Sequence, residues 1–184
     1  MNIAVYCSSR NDLPQEYVNL AETLGNWIGT NHHTLVYGGV NAGLMHITAQ
    51  AVHNSGGHIV GVIPEVFHYR LDPLNDEVVT TRDLNDRKSR MIAMADAFVI
   101  LPGGIGTIDE WISTLAQITI NDQDNRGIIV ANHMGMYDGM IEQLNLSQQS
   151  IFSRGKNLNR SIIVGNATQM IEQLTKLQNE YDKK

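Results

Sequence analysis

Apolar runs and helical stripes take turns along this chain. The run "NIAVYC" (2–7) predicts a first strand. From Pro14 to Thr30 the apolar spacing changes to threes and fours, with Val18, Ala21, Leu24 and Ile28 on one face, which predicts a helix. The alternation continues with a strand at "HTLVYGG", a helix at Leu44–Asn54, a strand at "GHIVGVIP" and a short strand at "DEVVTT". Next come a helix at Asp83–Ala95, a strand at "DAFVILP", a helix at Thr107–Ile120 and a strand at "RGIIVAN". A helix at Tyr137–Gln148, a strand at "SIIVG" and a helix at Ala167–Leu177 close the series. The last helix carries Ala167, Met170, Ile171, Leu174 and Leu177 on one face.

The predicted strands are short, β-branched and apolar at nearly every position, as strands buried on both faces are. Right-handed crossovers through the intervening helices then give an α/β, Rossmann-like, doubly wound parallel sheet with helices on both faces. No internal repeat or low-complexity segment interrupts the pattern, and the polar stretch 121–127 reads as a loop, so residues 1–184 are expected to form a single domain. In such sheets a ligand sits at the carboxyl ends of the strands. The strand-to-helix turns are therefore where chemistry is expected.

Three of those turns are built of small residues: Cys7-Ser8-Ser9, Gly38 to Gly43, and Pro102-Gly103-Gly104-Ile105-Gly106-Thr107. Glycine lets a ligand approach the backbone, and a helix that starts there aims free N–H groups and a partial positive charge at it. A Walker loop would need a lysine before Thr107, where Gly106 stands. A dinucleotide fingerprint would need glycine at Asp109. Thr107-Ile108-Asp109-Glu110 also matches a capping box, in which Glu110 would only close a helix end. Residue chemistry leaves cap and functional carboxylate level at this point.

The helix at 83–95 adds a second clue. Its apolar stripe, Leu84, Met91, Met94 and Ala95, extends at helical spacing onto Arg87 and Lys88. A lone arginine in such a place often snorkels to water. This helix, however, feeds the strand that ends at Gly103, so an inward Arg87 could approach an anion at the glycine turn.

Composition narrows the field. The formal net charge of -6 argues against a nucleic-acid partner held through phosphates. A single cysteine, Cys7, allows no internal disulfide and suits a reducing compartment. No leader peptide is evident, and no apolar run approaches the roughly 20 residues of a membrane span. A cytoplasmic protein without membrane contact is expected. The seven histidines form no ligand motif, and His46 and His53 share a helix face without a third ligand, so no metal is expected.

The segments "YGGVNAGLM" (37–45), "DRKSRMIAMADAFVILPGGIGTIDE" (86–110) and "GMYDGMI" (135–141) resemble the Lonely Guy (LOG) family of cytokinin riboside 5′-monophosphate phosphoribohydrolases, some of which carry the label "possible lysine decarboxylase". The similarity runs from "AVYCSS" to at least residue 141. It implies hydrolysis of the N-glycosidic bond of an adenosine 5′-monophosphate, often N6-substituted, without a cofactor. It also implies a homodimer with the active site near the subunit interface. Carried over residue by residue, it makes Gly103, Gly104, Gly106 and Thr107 the phosphate loop, and Arg87 and Glu110 the catalytic pair. Ser8 and Gly39 in the other turns, and Lys88 beside Arg87, are further candidate substrate contacts. The chain departs from the family pattern at Ser8, Val40, His46 and Asn85-Asp86, around the core rather than in it.

The chemistry so implied is an oxocarbenium-like transition state at C1′, stabilised by a carboxylate such as Glu110. Arg87 stays charged and serves electrostatics rather than proton transfer. Asp86, water or a protonated substrate remain open as the source of the leaving-base proton. Rival readings are a non-catalytic carrier of a nucleotide or of a phosphorylated cofactor like the molybdenum cofactor, a single-strand DNA binder, and a pyridoxal decarboxylase. The last would need a Schiff-base lysine, for which Lys88 and Lys156 are the residues away from the C-terminal helix and tail.

Overall fold

The computed structural model describes residues 1–121, 124–149 and 160–183. Lys156, and part of the polar loop at 121–127, lie outside the described residues. In chain order the elements are β1 (Asn2–Tyr6), α1 (Gln15–Thr30), β2 (Thr34–Tyr37), α2 (Gly43–Asn54), β3 (His58–Pro64), β4 (Glu77–Thr81), α3 (Leu84–Met94), β5 (Ala97–Ile100), α4 (Ile105–Ile120), β6 (Gly127–Ala131), α5 (Asp138–Gln149), β7 (Ser161–Val164) and α6 (Ala167–Tyr181). A 3-10 turn at Glu65–Arg70 follows β3, and another at His133–Gly135 follows β6.

The described strands form one seven-stranded sheet in the order β4-β3-β2-β1-β5-β6-β7. Every pairing is parallel. The chain winds outward from β1 in one direction and resumes at β5 in the other, so the order reverses between β1 and β5. That gap is the switch point where doubly wound sheets open a crevice.

Alternate residues of each central strand supply opposite cores, as the period of two requires. Ile3, Val5 and Cys7 join Leu35, Tyr37, Val99 and Ile129 under α1, α2 and α6. Ala4 and Tyr6 join Val36, Phe98, Ile100 and Val130 under α3, α4 and α5, with Trp111 and Tyr137 buried among them. The Trp111 and Tyr137 rings meet edge to face at 5.5 Å between centroids. The indole N–H, which needs an acceptor when buried, donates to Ser161 Oγ at 3.0 Å and so ties α4 to edge strand β7. The two edge strands, β4 and β7, carry exposed positions within their length, whereas β3 is exposed only at its first residue, His58; "DEVVTT" is one of the edge strands.

The stripe expected on α3 is only partly apolar in place. Met91 and Ala95 are buried, but Leu84, in the first turn, is half exposed. It lines the cleft described below.

Candidate active site

The capping box does not form. α4 begins at Ile105, two residues earlier than expected, with Gly104 as its extended N-cap and no side-chain cap. The first helical bond closes from the Ile108 N–H to the Gly104 carbonyl at 3.1 Å. Thr107 therefore sits inside the first turn and Glu110 a further turn in, too far along to reach the helix end. The reason is local: a side chain on Gly103 would overlap the Thr107 hydroxyl, and with glycine there Thr107 folds back over the turn and the helix starts upstream. Among the described residues, no protein acceptor takes the N–H groups of Ile105, Gly106 and Thr107. No acidic residue stands in the first turn of α4. The helix end is left open to an anion.

Freed from capping, Glu110 points into the interior, with its side chain 4% exposed. Arg87, on the inward face of α3 and 12% exposed, donates from Nη2 to Glu110 Oε1. Gly38, at the end of β2, makes room for it: a Cβ there would lie 3.1 Å from Arg87 Nη1. The Arg87 Nε–H is buried with no acceptor among the described residues, a state that folded proteins rarely leave unfilled. Burial pushes the Glu110 carboxyl above the usual carboxylate range, and the Arg87 guanidinium pulls against that shift. One turn further along α4, Thr114 and Tyr6 share a hydrogen bond of 3.0 Å beneath the pair.

These groups lie at the foot of a cleft of about 390 Å³ at the switch point. The cleft gathers the turns expected from the sequence. Ser8, Gly104, Gly106, Thr107, Arg87 and Glu110 all line it. Ser8 also holds the walls together: its N–H donates to Pro102 O at 3.2 Å, and its carbonyl accepts from the Leu44 N–H at 2.9 Å.

Three expected contacts are placed elsewhere. Gly103 lies behind Thr107, and Gly39 (φ 70°) is committed to a turn in which its carbonyl accepts from the Asp72 N–H at 2.8 Å. Neither lines the cleft. Lys88 turns aside to Asp109, at 2.7 Å and 2.8 Å from its two oxygens, and to Ser113 Oγ at 3.2 Å. It is one position round the helix from Arg87, and that rotation takes it out of the cleft. The same ion pair leaves it poorly placed to form a Schiff base.

The cleft also contains residues that the sequence pattern did not single out: Arg10, Met45, Phe67 and Arg70. Arg10 could have been found, since it follows the small residues at the end of β1. Phe67 and Arg70 carry no periodic signal. They reach the cleft because an isolated bridge joins Leu71 to Val40, and Arg70 O accepts from the Asn41 N–H at 2.8 Å. Asp72 secures the end of this strap. It is buried, accepts from the Leu74 N–H at 3.1 Å and pairs with His46 Nδ1 at 2.8 Å.

A family profile described as "Possible lysine decarboxylase" matches residues 45–174. Cytokinin riboside 5'-monophosphate phosphoribohydrolase LOG7 of Arabidopsis thaliana is 34% identical over 186 residues, covering 98% of this chain and 83% of that protein. The chain belongs to the LOG family. Another member, the probable cytokinin riboside 5'-monophosphate phosphoribohydrolase LOGL2 of Oryza sativa subsp. japonica, is 30% identical over 98% of this chain and 75% of its own length.

Among solved structures, the molybdenum cofactor binding protein from Rippkaea orientalis superposes with a TM-score of 0.74, at 19% identity over 96% of both chains. The molybdenum cofactor carrier protein from Chlamydomonas reinhardtii gives 0.74 at 17% identity, over 97% of this chain and 98% of its own. At such identity the likeness establishes the shared Rossmann-like fold. Among the described residues of this LOG family member, no helix is long and apolar enough to cross a membrane.

Proposed function

We propose that this protein hydrolyses the N-glycosidic bond of an adenosine 5′-monophosphate, with or without an N6 substituent, to the free base and ribose 5-phosphate. The observation that carries the reading is the buried Arg87–Glu110 pair, one turn inside a helix whose N-terminus is open to the same cleft. An anion seated on the α4 turn would share its cleft with a carboxylate held in a low-dielectric pocket, which supports a reaction at a ribose C1′. Family membership gives this arrangement its substrate class.

In the proposed reaction the 5′-phosphate seats on the N–H groups around Gly104, Gly106 and Thr107, so that binding energy remote from the bond positions the reacting centre. The C1′–N bond breaks with its electron pair on the base. Positive charge builds on C1′ and O4′, and Glu110 as carboxylate stabilises it and orients the water that attacks C1′; that water gives up one proton as the O–C1′ bond forms and the departing base nitrogen takes up one, so free base and ribose 5-phosphate result. Arg87 favours the ionised form of Glu110 against its burial and fixes its rotamer. Its spare Nε–H is available to a ligand oxygen. Gly103 serves the loop indirectly, through the room it gives Thr107. Ser8 lies against the loop as a ribose or phosphate contact, while Gly39 and Lys88 shape and brace the cleft from outside it.

The proposal takes all 184 residues as one nucleotide-binding domain working in the cytoplasm, where a single buried thiol, Cys7, stays reduced. It also takes the protein as a homodimer. Support for that comes from exposed apolar side chains, Ile105 at 82% in the cleft wall and Tyr69 at 81% beside Arg70 in the strap after β3.

Incubating the protein with AMP and with N6-prenyl AMP, and separating the products by chromatography, tests the reading. Release of free base with one equivalent of ribose 5-phosphate is the expected result. Nucleotide binding with no product over many hours would overturn it and leave the non-catalytic carrier.

A further inference from the structure

The cleft contains more positive charge than its buried pair needs. Arg87 is matched by Glu110 at the foot. Arg10 and Arg70, which line the same cleft, have no carboxylate or hydrogen-bonding partner for their guanidinium groups among the described residues. They come from different parts of the fold. Arg10 extends from the turn after β1, where its own N–H donates to Ser8 Oγ at 3.1 Å. Arg70 comes from the strap after β3, across the switch point from α4.

The surroundings fix the backbone of both. The backbone of Arg10 lies against Gly43, where a Cβ would overlap its carbonyl oxygen. Arg70 is anchored by its carbonyl to the Asn41 N–H at 2.8 Å, with buried Asp72 pinning the strap just beyond. The start of α2, between the two arginines, is not itself a free anion seat. The Gly43 N–H is taken by Asn11 Oδ1 at 2.9 Å and the Leu44 N–H by Ser8 O at 2.9 Å.

A charge balance says what the two arginines are for. An open helix end offers roughly half an elementary charge. A phosphate monoester carries about -1.5 to -2 at neutral pH. The α4 turn alone therefore leaves most of a 5′-phosphate's charge unmatched. Because Arg87 is spent on Glu110, the missing charge must come from elsewhere in the cleft. Two guanidinium groups supply it, in the planar geometry that suits phosphate oxygens.

We infer that Arg10 and Arg70 are specificity-determining residues that close on the ligand's 5′-phosphate from the wall opposite the α4 turn and make the cleft select nucleotides over nucleosides. The inference rests on the nucleotide reading above but not on turnover. Phosphate selection is thus divided between a backbone seat, which fixes position, and two arginines, which supply countercharge.

The test is equilibrium binding of AMP, adenosine, ADP and ribose 5-phosphate to the wild-type chain and to Arg10→Gln, Arg70→Gln, Arg70→Lys and the double glutamine variant, each checked for cooperative unfolding. Each glutamine variant should bind AMP and ribose 5-phosphate about tenfold more weakly, with adenosine unchanged. Arg70→Lys should recover part of the loss, and the dependence of AMP affinity on salt should flatten in the double variant. Unchanged AMP affinity would overturn the inference. So would an equal loss for AMP and adenosine, which would mark a structural role. A loss confined to ADP would place the arginines on a second phosphoryl group and overturn it too. If the wild type binds ribose 5-phosphate and loses it in the variants yet releases no base from AMP, the hydrolase reading fails and this inference stands. If the wild type binds none of the phosphates, both fail.

Discussion

Arg87 and Glu110 stand 23 residues apart in sequence and meet as a buried ion pair between two helices, α3 entering β5 and α4 leaving it. A carboxylate that only capped its helix would have no need of this partner. Glu110→Gln keeps the shape and the Arg87 contact but removes the negative charge. The variant should fold and bind AMP like the wild type, and lose roughly two or more orders of magnitude in kcat. Single-turnover release of base from AMP, beside an AMP titration, separates the two effects. Wild-type kcat would reduce Glu110 to a structural anchor.

The same pair sets the pH dependence. Burial raises the Glu110 pKa and Arg87 opposes the rise. The working form is the carboxylate, so activity is gained as pH rises through that pKa and lost as pH falls through it. The acid limb of kcat/KM should therefore lie above the ordinary carboxylate range. Arg87→Ala removes the opposing charge, so its acid limb should move to still higher pH while its plateau rate falls. An acid limb that stays put in the variant would separate the limb from Glu110.

Most of the sheet was legible because its strands are buried on both faces, and a short unbroken apolar run such as "AFVI", bounded by polar and turn residues, fits a central strand better than any surface element. The inward turn of Arg87, into the cleft that Gly104 and Gly106 also line, was legible for a similar reason, since a cation on an apolar helical stripe has to go somewhere. What misled was short-range. Thr107 and Glu110 have capping-box spacing, but the room that Gly103 leaves for Thr107 let α4 start upstream and carried both past the end. What was invisible was tertiary. Arg70 owes its place to the Val40–Leu71 bridge and to Asp72, and no periodicity in residues 65–71 encodes either.

Arg126 makes a stability prediction away from the cleft. Its Nη1 donates to the α3 C-terminal carbonyls of Ile92 and, at 2.9 Å, Ala95. Its guanidinium lies 5.1 Å from the centre of the Phe98 ring and pairs with Asp124 at 2.7 Å. Arg126→Ala should cost about 1–2 kcal/mol, discounted for partial exposure, and leave kcat unchanged. Hydrogen bonds from Arg126 hold the Asp124 carboxyl below its usual range. That contribution is present above the unfolded carboxylate pKa and is lost as pH falls through the lower folded value. Urea unfolding at neutral and acid pH should show the gap between wild type and variant narrowing in acid.

Gly38 tests whether the position of Arg87, and not only its charge, is what the cleft needs. A Cβ there would sit 3.1 Å from both Arg87 Nη1 and the Met45 methyl. The methionine can swing away at little cost. The guanidinium cannot, because Glu110 holds its other edge, so Gly38→Ala should push Arg87 a few tenths of an ångström out of line. Loss of turnover by about tenfold is expected, with a small change in unfolding temperature, since misplacement of a positioned group costs rate before stability. A double-mutant cycle makes the claim specific. Once Arg87→Ala has removed the group being displaced, adding Gly38→Ala should cost almost nothing more. Additive losses would mean that Gly38 acts through Met45 or the backbone, and that the cleft tolerates a displaced Arg87.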